Sequence, residues 1–142
     1  MPHQCKALVI NCMDFRFHSA IREFAISLGL KDQYDLVSLA GASKYIVDKD
    51  PIGSAVLFKQ VELSQKLHGI SEMYLIHHMD CGAYGGHKAF ATEQAEHDKQ
   101  VQDMRATQAV LTQKFPQLQV KKVLARITEK GEENLIDFEV VS

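Results

Sequence analysis

EMYLIHHMDCG, residues 72–82, is the stretch on which the reading of this chain turns. Its first seven residues are mostly apolar, bounded by turn-forming residues, and of strand length. It then runs out through His77, His78, Met79, Asp80 and Cys81 into a loop carrying Gly82, Gly85 and Gly86. A strand that ends in imidazoles, a carboxylate and a thiol places chemistry at its carboxyl end. In an open α/β sheet that is where ligands bind.

Working outward, a similar run precedes it at residues 6–12 (KALVINC) and ends in Cys12-Met13-Asp14-Phe15-Arg16. Between the two lie Ile21, Phe24, Ala25 and Leu28 at the spacing of one helix face, and a strand at 34–40 (YDLVSLA) closed by Gly41. Asp50-Pro51 is an N-cap followed by proline at the first helical position, and that helix runs to a stop at Gly69. Downstream, 91–114 reads as a helix with Val101, Met104, Leu111 and Phe115 on one face. Residues 119–127 form a fourth strand. A fifth alternates Ile136, Phe138 and Val140 with Asp137 and Glu139, pairing as a hairpin across the Glu129–Asn134 turn with one wet face. The order βαβαβαββ predicts an α/β fold: a mostly parallel central sheet, helices on both faces and one antiparallel edge strand. The 142 residues suit a single domain, 1–142, without internal repeat or linker.

The global composition narrows the partners. Sixteen Lys and Arg against eighteen Asp and Glu give a net charge of −2, with no basic run, so neither a nucleic-acid surface nor a membrane surface is expected. The amino terminus has no signal-like charged and apolar segments, and a cytoplasmic protein is expected. Three cysteines without a secretory context favour reduced thiols or metal ligands over disulfides.

If strands one and three are neighbours, Cys12, His78 and Cys81 meet at one edge of the sheet. Thiolate sulfur and imidazole nitrogen suit one zinc ion per chain, and three protein ligands leave a fourth position for water, the arrangement of a catalytic site. Two thiolates cancel the charge of the ion, so its water is acidified less than at a site of neutral histidines. Asp14 is placed to accept a proton or hydrogen bond from that water. Arg16, two residues on in an extended segment, falls on the same side and keeps Asp14 ionised and aimed. The bland alternatives are core packing for Cys12 and a structural ion pair for Asp14 and Arg16.

The stretches CMDFR and HHMDCGA resemble the Cys-x-Asp-x-Arg and His-x-x-Cys-Gly motifs of β-class carbonic anhydrases, a similarity extending from the first strand to about Ala83. The resemblance implies zinc ligands Cys12, His78 and Cys81, a catalytic dyad of Asp14 and Arg16, and reversible hydration of carbon dioxide to bicarbonate. It also implies a homodimer or higher homo-oligomer, and an Asp14 able to swing onto the zinc. The chain departs from the family pattern at Phe15, usually small, at His77, usually glycine, and at Ser38-Leu39-Ala40-Gly41, where Arg-Asn-Ala-Gly is usual. It also begins almost at the first strand, where relatives carry helices that wrap a partner subunit. Alternatives are a zinc hydrolase of carbon disulfide or carbonyl sulfide, with Phe15 and His77 reshaping the pocket, and a non-catalytic zinc- or anion-binding protein. A cysteine phosphatase fits poorly, because only three residues separate Cys12 from Arg16.

Among the remaining candidates, Cys5 reads as an ordinary thiol far from the site edge. His77 should face away from His78 and serve structure or support a ligand. Asp80 reads as a turn or supporting residue. His18, His68, His87 and His97 read as solvated surface, with a weak case for His87 as a proton shuttle on the glycine loop.

Overall fold

The computed structural model describes residues 3–128 and 135–142. In chain order the elements are β1 (Ala7–Cys12), α1 (His18–Ser27), β2 (Tyr34–Leu39), α2 (Lys44–Val47), α3 (Pro51–His68), β3 (Glu72–His78), α4 (Glu93–Lys114), β4 (Gln119–Ile127) and β5 (Ile136–Val141). Short 3-10 turns at Phe15–Phe17, Gly82–Tyr84 and His87–Ala89 follow the ends of β1 and β3. The five strands lie in the order β2-β1-β3-β4-β5. The first four are parallel and β5 runs antiparallel to β4, as the sequence order predicts. The turn expected at Glu129–Asn134 lies outside the described residues.

Successive side chains of a strand point to opposite faces, so a strand buried on both sides must be apolar at nearly every position. In β1 every residue is buried. Leu8 and Ile10 pack with Met73, Leu75 and Val120 against Ile46 of α2, Leu57 and Val61 of α3 and Leu111 of α4. On the other face Val9, Tyr74, Ile76 and Val123 pack against Phe17 and against Ile21 and Ala25 of α1. Helices therefore cover both faces, three on one and a single helix on the other. Among the described residues no helix is long and apolar enough to cross a membrane.

The helix ends follow from local chemistry. Asp50 caps α3 by accepting from the backbone N–H of Ile52 and Gly53, with Pro51 in the first turn, and Gly69 closes it in the left-handed region at φ 63°. Thr92 accepts from the N–H of Ala95, so α4 begins two residues later than its apolar spacing predicts. The short α2 carries too few turns for periodicity to reveal it. In β5 the expected wet face is corrected. Ile136 and Phe138 do pack on the α1 side, but Val140 is exposed. Val141, on the supposed wet face, is buried against Met79, Val101, Met104 and Leu124.

Gly53, in the first turn of α3, lies under the ring of Tyr45. A Cβ built there would stand 2.3 Å from Tyr45 Cδ1 and 2.8 Å from Tyr45 Cβ. Alanine in place of glycine ordinarily stabilises a helix by about 1 kcal/mol, but here overpacking reverses the sign. Gly53→Ala is expected to lose about 1–3 kcal/mol in urea denaturation; a gain would mean that Tyr45 moves aside freely.

Candidate metal centre

β1 and β3 are adjacent and parallel, with Asn11 level with Ile76, so the carboxyl ends of the two strands, Cys12 in β1 and His78 in β3, fall at the same edge of the sheet. The chain turns after His78 through Asp80, at φ 58°, and returns Cys81 to the same place. Cys12 Sγ and Cys81 Sγ are 3.9 Å apart. Together with an imidazole nitrogen of His78 they form a buried set whose ligand atoms lie within 4.8 Å of one another. The Nδ1–H of His78 donates to the Met79 carbonyl at 2.7 Å, which fixes the tautomer and leaves the lone pair on Nε2. That Nε2 is buried without a hydrogen-bond partner among the described residues. Phe17 packs on the His78 ring, 4.3 Å between centroids. A buried acceptor with no donor, beside two sulfurs, is costly unless a cation satisfies it, so the three side chains fit a metal ion.

The electrostatics of the two thiols agree. The Cys81 thiol and the N–H of Gly41, 3.4 Å from Cys12 Sγ, hold the Cys12 thiol well below its ordinary range. The bond to Cys12 and burial push the Cys81 thiol up. Without a cation the pair favours a single negative charge; a divalent ion between them favours both thiolates. Gly41 is at φ 77°, and a Cβ there would come within 2.9 Å of Ala83 Cβ. Glycine is thus required where this N–H is aimed at sulfur.

Asp14 and Arg16 form a rigid pair. Asp14 Oδ1 caps the turn that follows β1 by accepting from Arg16 N at 2.9 Å. The Arg16 side chain folds back onto the same carboxylate, with Nη2 2.7 Å and Nε 3.2 Å from Oδ2. The two share a side because the chain turns, not because it is extended as the spacing predicts. The Arg16 side chain, more than burial, which opposes it, holds the Asp14 carboxyl below its usual range, and Asp14 in turn raises the guanidinium. Arg16 is anchored from behind by Asp80, through Nη1 to Oδ2 at 3.1 Å and Nη2 to the carbonyl at 3.0 Å. Asp14 Oδ2 lies 3.7 Å from His78 Nε2, beside the point where the three ligands converge. An open cavity of about 530 Å³, lined by Asp14, Phe15, Arg16, Asp80 and the glycine loop, leads to this pair.

The sequence reading missed the part of α4 that frames the site. Glu96, Gln100, Asp103 and Thr107 are buried on one helical stripe. Glu96 accepts from the Asp80 N–H at 2.6 Å and from His87 Nδ1. Gln100 Oε1 lies 2.8 Å from His77 Nδ1, Ser43 Oγ 2.7 Å from His77 Nε2, and Asp103 accepts from the Tyr84 hydroxyl. Asp80 Oδ1 also accepts from the His87 N–H, which helps to hold its carboxyl low. His77 therefore faces away from His78, as expected. The view of the other histidines as solvated surface holds for His18 and for His87, which is exposed while pairing with Glu96, whereas His68 and His97 are half-buried and pair with Asp35 and Glu139. The spacing of the α4 polar residues was readable, but polar positions on a helix ordinarily face water.

Comparison with known proteins finds a matching family and two relatives. A family profile described as "Putative carbonic anhydrase" matches residues 2–136. An uncharacterized protein of Rickettsia conorii is 31% identical over 122 residues, 83% of this chain and 66% of that protein. An uncharacterized protein of Rickettsia bellii is 30% identical over 122 residues, 83% of this chain and 74% of that protein. The chain thus spans a little under two thirds of the first relative's length and about three quarters of the second's.

The buried His77 sets an acid limit on this frame. Burial lowers it from 6.5 to about 4 in the folded chain. The unfolded chain binds that proton first, so stability present above pH 6.5 is lost as pH falls from there through about 4. Urea midpoints measured across this window should fall in the parent and flatten in His77→Gln; an unchanged slope in the variant would assign the proton elsewhere.

Proposed function

The chain belongs to a carbonic anhydrase-like family, and from that premise we propose that it is a zinc-dependent lyase catalysing the reversible hydration of carbon dioxide to bicarbonate. Cys12, His78 and Cys81 are the zinc ligands of this reading, and Asp14 and Arg16 its catalytic pair. The observation that carries it is the buried Nε2 of His78, without a hydrogen-bond partner among the described residues, beside the two cysteines and 3.7 Å from a carboxylate.

Held by Cys12, His78 and Cys81, a zinc ion would supply the Lewis acidity that makes water a nucleophile near neutral pH. Two thiolate ligands weaken that acidity compared with neutral histidines, so the surrounding residues contribute more. Asp14 Oδ2 accepts a hydrogen bond from the reacting water and orients it. Arg16 keeps Asp14 ionised and limits its rotation, while Asp80 keeps Arg16 in place. Because Asp14 is held below the usual carboxylate range, it acts as a fixed acceptor and releases any captured proton readily to solvent. Phe15, 85% exposed, stands at the cavity mouth and offers an apolar wall to an uncharged substrate.

The test is stopped-flow hydration of carbon dioxide on protein whose zinc content is measured in the same sample. Activity should rise with pH above neutrality, vanish on chelation and return with zinc. Asp14→Asn should lower kcat/KM by about a hundredfold or more. Arg16→Lys, which keeps the charge but loses the paired hydrogen bonds, should also lower it, mainly through kcat. Stoichiometric zinc without hydration would move the substrate to carbon disulfide or carbonyl sulfide, read by sulfide release. Failure to bind zinc would overturn the proposal.

A further inference from the structure

We propose that Cys5, Asp35 and His68 form a second divalent-metal site, at the amino-terminal end of the sheet, that binds zinc and ties three separate segments together. A nitrogen of His68, a carboxylate oxygen of Asp35 and Cys5 Sγ lie within 4.8 Å of one another. Cys5 precedes β1, Asp35 is the second residue of β2, and His68 is the last residue of α3. The first centre lies beyond the other end of β1, roughly 20 Å away at the rise of a strand.

The three side chains are held by contacts that need no metal. The Cys5 N–H donates to the His68 carbonyl at 3.0 Å, which fixes the amino-terminal segment against the end of α3. Asp35 sits opposite Leu8 in the β1–β2 ladder. Its Oδ2 accepts from Ser64 Oγ at 2.6 Å and from His68 Nδ1 at 2.7 Å, two residues one helical turn apart. The Cys5 thiol makes only a weak bond, to the Ala7 carbonyl at 3.7 Å, so it is free to turn toward a cation. All three residues are half-buried, and a cavity of about 270 Å³ lined by Asp35, Ser64 and His68 opens beside the Asp35–His68 pair.

The donor chemistry selects the ion. One thiolate, one carboxylate and one neutral imidazole balance a divalent charge, and sulfur with nitrogen favours zinc over magnesium or calcium. Ser64 on the carboxylate is the outer hydrogen bond that orients a metal ligand.

The test is metal counting on the full chain. Metal-free protein is titrated with zinc against a chromophoric chelator, and cobalt(II) spectra report sulfur ligation. The parent should bind two ions per chain; Cys5→Ser and His68→Gln should each bind one, with carbon dioxide hydration unchanged. The zinc-dependent part of the thermal midpoint assigned to this site should vanish in both variants. If His68→Gln fails to fold, Cys5→Ser decides alone, because its native bond is so weak. An ion count in Cys5→Ser equal to that of the parent would overturn the proposal. Two ions without hydration would support this site while removing the function proposed above.

Discussion

The parallel pairing of β1 with β3 brings Cys12 to His78 and Cys81, and the rest of the site follows from its register. Strand side chains alternate faces, so a slip of one residue would turn Cys12 to the opposite side of the sheet. The register is enforced from both faces at once. Leu8 and Ile10 are committed to the layer under α3 and α4, and Ala7 and Val9 to the layer under α1. Shifting the pairing would expose both sets together, at about 25 cal/mol for each Å² of apolar surface returned to water. Hydrophobic burial far from Cys12, His78 and Cys81 is thus what holds them in place.

Around that anchor the chain buries an unusual amount of polarity. α4 presents Glu96, Gln100, Asp103 and Thr107 to the sheet end, where a helix normally presents apolar residues. Each such group costs free energy unless it is paired: Glu96 pairs with Asp80 and His87, Gln100 with His77 near the end of β3, Asp103 with Tyr84, and Thr107 with Ser43. The loop between β3 and α4 is thereby fixed by directional bonds. Geometry at Arg16 and Asp14 inherits that fixity through Asp80.

The sheet, the major helices and the convergence of Cys12, His78 and Cys81 were legible in the sequence, because strand length, Asp50-Pro51 and Gly69 are local signals with local causes. The boundaries of β3 and β4 fall where the apolar runs end. What was illegible depends on pairing between distant residues. The α4 stripe reads as a wet face until the loop that satisfies it is seen. The turn at Phe15–Phe17 is set by the Asp14 cap and not by periodicity. Val141 is buried because α4 extends over it, while Val140 is exposed. The clustering of Cys5, Asp35 and His68 requires knowing that the start of β1, the start of β2 and the end of α3 coincide.

Asp80 shows how tightly stability and precision are bound together here. Its left-handed backbone, at φ 58°, costs on the order of 1 kcal/mol that glycine would not incur. Its N–H, carbonyl and both carboxylate oxygens are nevertheless all occupied, by Glu96, Arg16 and His87. A stability-minded engineer would exchange it for glycine, relaxing the backbone while freeing Arg16 from its anchor. The same position would look like an error to a search for the lowest energy and like a keystone to a search for function. Any effort to harden this protein by relieving local strain should therefore begin away from the strand ends.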